Sequence, residues 1–217
     1  MQIIWKGQAC FSVIAQRNKQ EQVKLVIDPF DPSIGLKMPV LEADIVLSTH
    51  DHEDHNNVKA VKGTPFVITG PGEYEIKDVS VRGIPSFHDE KEGKERGKNT
   101  IYVIEAEGMR LCHLGDLGQG ELTEDQVSRI GNVDILLIPV GGVYTIGAKA
   151  AAKIVSQIEP RIVIPMHYML ANLRFKLEKV DEFLKEMGVK NAEAQPKLVI
   201  KLRDFTSEET KVMVLQP

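Results

Sequence analysis

Apolar and polar residues alternate in short runs through the first half of the chain: Ile3-Ile4-Trp5, Cys10-Phe11-Ser12-Val13-Ile14 and Val23-Lys24-Leu25-Val26-Ile27. Such runs, rich in β-branched and aromatic residues, predict a meander of antiparallel strands. The segment Asp28-Pro29-Phe30-Asp31-Pro32 ends it, because two closely spaced prolines cannot continue a ladder. Strand-like runs follow at 45–47 and 65–69, then, after a Gly70-Pro71-Gly72 turn, at 79–86, 100–106 and 109–114. The second half changes period. A helix starting near Thr123 leads to a buried strand at 134–138, a Gly141-Gly142 loop, an Ala-rich helix at about 147–157 and a strand at 161–164. Leu177, Val180, Phe183 and Leu184 recur at helical spacing and predict a helix near 177–187, before closing strands at 198–200 and 212–214. Strands first, with helices threaded between the later ones, predict an α/β fold of two sheets packed face to face with helices outside.

The 217 residues fit one domain, 1–217, long enough to bury a core without disulfides. Hydrophobic residues at 42% and charged residues at 27% are ordinary for a globular chain. The 27 basic against 31 acidic side chains leave a net charge of −4, so charge indicates neither nucleic acid nor a membrane as partner. The first residues lack a leader pattern and no run approaches a membrane span, so a cytoplasmic location is expected. Oligomeric state is open, a homo-oligomer included. Cys10 and Cys112 sit among apolar strand residues and read as buried thiols.

The stretch Ser48-Thr49-His50-Asp51-His52-Glu53-Asp54-His55 packs three imidazoles and three carboxylates into eight residues directly after an apolar run. His50 and His52, spaced i, i+2 at a strand end, point to one side and suit a shared metal ion. Further ligand-type residues also follow strand-like runs: His88, Asp116 and His167. If those strands are oriented alike, these residues converge on one rim, together with the Gly141-Gly142-Val143-Tyr144 loop, whose glycines would admit a substrate close to the backbone. His113 lies inside a strand and reads as an outer residue orienting a ligand. Tyr168 and Tyr144 are candidates to donate to a developing oxyanion. The segment 89–98 alternates four acids with four bases; it is expected to be mobile, to order over the site, and to offer Arg96 or Lys98 to an anionic group.

These motifs resemble the metallo-β-lactamase superfamily. Its H-x-H-x-D-H signature is present as His50, His52, Asp54 and His55, and its later elements match His88, Asp116 in Leu114-Gly115-Asp116-Leu117-Gly118, and His167 in Ile164-Pro165-Met166-His167-Tyr168. Within the superfamily the chain is most similar to small metal-dependent hydrolases related to the ascorbate-6-phosphate lactonase group, which the Trp5 to Phe11 opening and Ile27-Asp28-Pro29-Phe30 also fit. One departure is Gln8, where many relatives carry a histidine. The resemblance implies an αββα sandwich of two mixed sheets. It implies two divalent ions, one on His50, His52 and His88, the other on Asp54, His55 and His167, with Asp116 bridging. Zinc is the first expectation for so nitrogen-rich a set, and manganese or iron fits nearly as well. The reading that follows is hydrolysis of a small ester-like substrate, a lactone or similar carbonyl ester, by a metal-bridging hydroxide, with Asp54 orienting it and Tyr168 assisting. The alternatives are a phosphodiesterase or ribonuclease, a di-iron redox protein, or a non-catalytic metal-binding module.

Overall fold

A computed structural model describes residues 1–18, 20–207 and 209–217. Among the described residues thirteen strands form two mixed sheets. The first contains β1 (Gln2–Trp5), β2 (Phe11–Gln16), β3 (Gln22–Ile27), β4 (Ile45–Leu47), β5 (Phe66–Ile68) and β12 (Leu198–Val199), in the order β12-β1-β2-β3-β4-β5. The second contains β6 (Gly72–Ile76), β7 (Val79–Phe87), β8 (Lys98–Ala106), β9 (Met109–His113), β10 (Ile135–Pro139), β11 (Ile162–Met166) and β13 (Lys211–Val212), in the order β13-β11-β10-β9-β8-β7-β6. Strands β10 and β11 are buried along their whole length, as parallel strands covered on both faces must be.

Inward residues of both sheets, among them Trp5, Phe11, Leu25, Leu47, Ile84, Tyr102 and Leu111, belong to one continuous core. Each fully buried Leu, Ile or Phe there stabilises the fold by about 1.5–3 kcal/mol relative to exposure. The helices α1 (Glu124–Ile130), α2 (Ala148–Ile158) and α3 (Val180–Glu186) follow β9 in the chain; α1 packs on β7 and α2, and α2 on α3. Thr123 starts α1 through a reciprocal cap with Gln126. On α2, Ala148, Ala151, Ile154, Val155 and Ile158 make the buried stripe.

The outer face of the first sheet is covered differently from the helix layer expected. Val26 and Val46 are sealed by Phe30, Ile34, Leu41, Val61, Leu173 and Leu177, from loops and short 3-10 turns such as Pro32–Ile34. Prolines at 29, 32 and 39 bar an α-helix from this stretch. Strand β6 was not anticipated: it is an edge strand with exposed Glu73 and Glu75, joined to β7 by Lys77-Asp78, both at positive φ as a tight hairpin turn requires. Segment 89–98 is not left without support. The Asp89 carboxylate accepts the backbone N–H groups of Lys91, Gly93, Glu95 and Arg96 at 2.7–3.0 Å, a polar anchor where no apolar one exists. Among the described residues no helix is long and apolar enough to cross a membrane.

Candidate metal centre

Strand direction assembles the site. In the first sheet β3 and β4 are parallel, and β1 runs the same way through two antiparallel steps; in the second sheet β7, β9, β10 and β11 share one direction. Just past the ends of these strands stand Gln8, Asp28, His50, His88, Asp116 and His167.

Two clusters result. His50, His52 and His88 form one, and Asp54, His55, Asp116 and His167 the other; within each, ligand-type atoms all lie within 4.8 Å of one another. In the first, His50 Nε2 faces His52 Nδ1 at 3.0 Å. In the second, Asp116 Oδ2 lies 3.2 Å from His55 Nε2 and 3.1 Å from His167 Nε2, and it also reaches His88 Nε2 of the first cluster at 3.3 Å. Asp54 Oδ2 is 3.3 Å from His55 Nε2.

Buried neighbours fix these side chains. Asp28 accepts from His55 Nδ1–H at 2.9 Å and from the Thr49 amide and hydroxyl at 2.8 Å each, while the Thr49 hydroxyl meets His50 Nδ1 at 3.0 Å. Asn99 accepts the Asp116 amide at 3.0 Å and donates to the Leu114 carbonyl and the Ser86 hydroxyl. Tyr102 donates to the Ser48 carbonyl at 2.9 Å, tying β8 to the head of the histidine segment. His113, fully buried, donates to the Ala9 carbonyl and accepts the Gly115 amide, so it braces the turn that presents Asp116. The chain beyond Asp116 runs against the His88 backbone: a Cβ at Gly118 would stand 2.2 Å from its carbonyl carbon.

The two clusters carry opposite electrostatics. Burial, reinforced by His55, lowers the His50 pKa to about 2, and burial with His88 nearby lowers that of His52, so both imidazoles keep free lone pairs. In the second cluster burial again works against charge, but Asp116, Asp54 and Asp28 outweigh it at His55 and hold that imidazole well above its ordinary value. At His167 burial is likewise overcome, chiefly by Asp116, and the pKa rises to about 9. Burial would raise Asp54 and Asp116, yet His55 dominates at the first and His167 at the second, and both carboxyls sit well below the usual range.

The donor set fits divalent cations. Among the described residues His55 Nε2 and Asp116 Oδ1 are buried with no hydrogen-bond partner, and His55 is aimed by a carboxylate on its other nitrogen, the arrangement that orients imidazole ligands. The clusters open into a cavity of about 370 Å³ lined by Ile34, His52, Asp54, Arg96, Tyr144, Arg174 and Phe175, among others. This volume suits a small molecule.

All seven ligand-type residues read from the sequence therefore meet at one place. Tyr168 does not line the cavity: it packs on Trp5 at 5.0 Å, and burial, with Asp181 nearby, pushes its hydroxyl pKa up. His167 adopts φ +51, and the next side chain enters the core. Tyr144, the other candidate, does line the cavity. Lys98 does not line this cavity; it lines an adjoining groove on the other side of His52 and Arg96, the two residues that border both. Gly141 serves packing rather than substrate access, since a Cβ there would stand 2.1 Å from the His167 carbonyl oxygen. Sequence reasoning gave no site role to Asp28, Arg174 or Phe175. For Asp28 a signal existed, a lone carboxylate directly after an apolar strand, in the pattern used to find His88 and Asp116. For the other two there was none.

The family model described as beta-lactamase superfamily domain matches residues 2–167. A metal-dependent hydrolase of Thermococcus onnurineus is 32% identical over 189 residues, covering 75% of this chain and 82% of its own. A Thermotoga maritima protein, assigned to the zinc-dependent hydrolases of the metallo-β-lactamase superfamily, is 38% identical with 99% of both chains covered and a TM-score of 0.79. CmlA, a di-iron β-hydroxylase of Streptomyces venezuelae, is 14% identical, covers 93% of this chain and 54% of its own at a TM-score of 0.62, and shares the fold alone. From the family match over most of its length and the full-length likeness to the Thermotoga protein, the chain belongs to the metallo-β-lactamase superfamily, among its metal-dependent hydrolases.

Proposed function

We propose that the chain hydrolyses a small anionic ester-like substrate, a lactone or similar carbonyl ester, at a centre of two divalent ions, with zinc the first choice and manganese or iron able to serve. His50, His52 and His88 would hold one ion, Asp54, His55 and His167 the other. The observation that carries this reading is Asp116 Oδ2, which stands 3.1–3.3 Å from nitrogens of both clusters and so suits a shared carboxylate. Two ions sharing a carboxylate act as Lewis acids and make a nucleophile available from water at neutral pH, so no serine or cysteine is needed.

The chain's own residues do the rest. Asp54 lines the cavity, its side chain 20% exposed, and is placed to orient a water. Arg96 and Arg174 line the same cavity, and among the described residues neither makes an ion pair, which supports an anionic group on the substrate. The Arg96 guanidinium lies 4.9 Å over the Tyr144 ring, and Tyr144 meets Phe175 edge-on at 5.6 Å. These rings with Ile34 make an apolar wall for the substrate body. A net charge of −4 offers a polynucleotide no long basic track.

The test is elemental analysis of the purified protein, coupled to a hydrolysis screen over lactones with and without a phosphate, phosphodiesters, thioesters and β-lactams. Lactone turnover with about two ions per chain is expected. Cleavage of phosphodiesters with lactones untouched would overturn the carbonyl reading and leave the hydrolase.

A further inference from the structure

Gln8 is fully buried beside the second cluster, and no ligand assignment above uses it. Its backbone has φ +53, a left-handed conformation costly for a residue with a Cβ, and strain of this kind concentrates at functional sites. Its carbonyl accepts the His167 amide at 3.1 Å and the Trp5 indole N–H at 2.9 Å, so residue 8 and His167 are locked together.

The side chain points into the cluster. Gln8 Nε2 lies 2.8 Å from His167 Nε2 and 3.2 Å from Asp54 Oδ2, while those two atoms are 3.9 Å from each other. The terminal amide is thus nearer to both than they are to one another. With its NH₂ inward, Gln8 donates to Asp54 Oδ2 and crowds His167 Nε2, the same two atoms a cation there would use. The other amide atom, Oε1, is buried and has no hydrogen-bond partner among the described residues. Amide oxygen and nitrogen are nearly interchangeable in shape, and their placement follows the hydrogen-bond network. Turning the amide by 180° removes the competition and brings the carbonyl oxygen beside Asp54 and His167.

We propose that Gln8 is itself a ligand of the ion held by Asp54, His55, Asp116 and His167, through its side-chain carbonyl oxygen. This rests on the two-ion reading. A neutral oxygen adds a donor without adding charge and favours an ion that accepts more than four ligands.

The experiment titrates metal-free protein with Zn²⁺ by calorimetry and with Co²⁺ by visible absorption, which intensifies as coordination number falls. Wild type, Gln8→Ala and Gln8→Glu are compared, each checked for native circular dichroism. Expected in Gln8→Ala is a loss of about tenfold or more in affinity for one ion with the other unchanged, and stronger cobalt bands. Gln8→Glu, which supplies a charged oxygen, should bind that ion at least as tightly as wild type. An alanine variant with both affinities and the spectrum unchanged overturns the ligand role while the two-ion reading stands. A glutamate variant with weakened binding overturns it too, showing that the amide N–H group matters. Wild type taking up one ion alone sinks the two-ion reading and this proposal with it.

Discussion

Asp28 Oδ2 accepts a hydrogen bond from His55 Nδ1 at 2.9 Å, and both side chains are entirely buried. The contact spans 27 residues of sequence and leaves His55 Nε2 facing Asp54 and Asp116. Asp28 holds φ +47 while doing so. Replacing it by Ala removes the group that fixes the ring and the partner of Thr49 together. Asp28→Ala should weaken binding of the ion near His55 by about 10–100-fold, with Asn intermediate. Competition with a chelator measures this; unchanged affinity would remove Asp28 from the site's support.

Asp116 reaches both clusters, whereas His88 belongs to one. Asp116→Ala should therefore lower the content of both ions and abolish hydrolysis, and His88→Ala should lower one. Elemental analysis of the two variants side by side decides it, and a full metal complement in Asp116→Ala refutes the sharing.

Arg96→Ala and Arg174→Ala are each expected to raise KM for an anionic substrate about tenfold with little change in kcat, because a charge-assisted hydrogen bond made equally in ground and transition states acts on binding. A neutral analogue of the substrate should be indifferent to either change. Equal effects on charged and neutral substrates would assign the arginines to packing.

Acid should loosen segment 89–98. Burial alone would raise the Asp89 pKa, but the amides of Arg96, Lys91, Glu95 and Gly93 outweigh it and lower it to about 2 from 3.8. A depressed carboxylate pKa contributes stability that is present above about pH 4 and is lost as pH falls toward 2. Protection of the Gly93 and Arg96 amides, measured against their intrinsic exchange rates at each pH, should fall over that interval, and Asp89→Asn should show the low protection already at neutral pH. Fast exchange in the wild type at pH 7 would show that the carboxylate does not hold the turn.

Tyr168→Phe should leave kcat within about twofold of wild type, since the ring packs on Trp5 and lines no part of the cavity. Tyr144→Phe is the informative control. A large loss of kcat in Tyr168→Phe alone would restore the catalytic role expected from its place beside His167.

What was legible in the amino-acid order was whatever depends on near neighbours. Ile45-Val46-Leu47 followed by His50, His52, Asp54 and His55 is a strand end carrying ligands, because β alternation and i, i+2 spacing act over a few residues. His88, Asp116 and His167 were found by the same local sign, a polar residue past an apolar run, and the family motifs joined them. Strand β6 does alternate, Glu73-Tyr74-Glu75-Ile76, but with two apolar residues in a run that follows directly on a Gly70-Pro71-Gly72 turn it is too short to stand apart from that turn. Contacts between residues far apart in the chain were decided by tertiary structure alone. Asp28 meets His55 because β3 and β4 are adjacent and parallel; Gln8 meets His167 because the loop after β1 crosses to the end of β11; Arg174 reaches the cavity of Arg96 because the turn-built layer over the first sheet carries it there. Nothing in the spacing of those residues encodes the meeting, since each is brought to its partner by the packing of two sheets whose strand order departs from chain order.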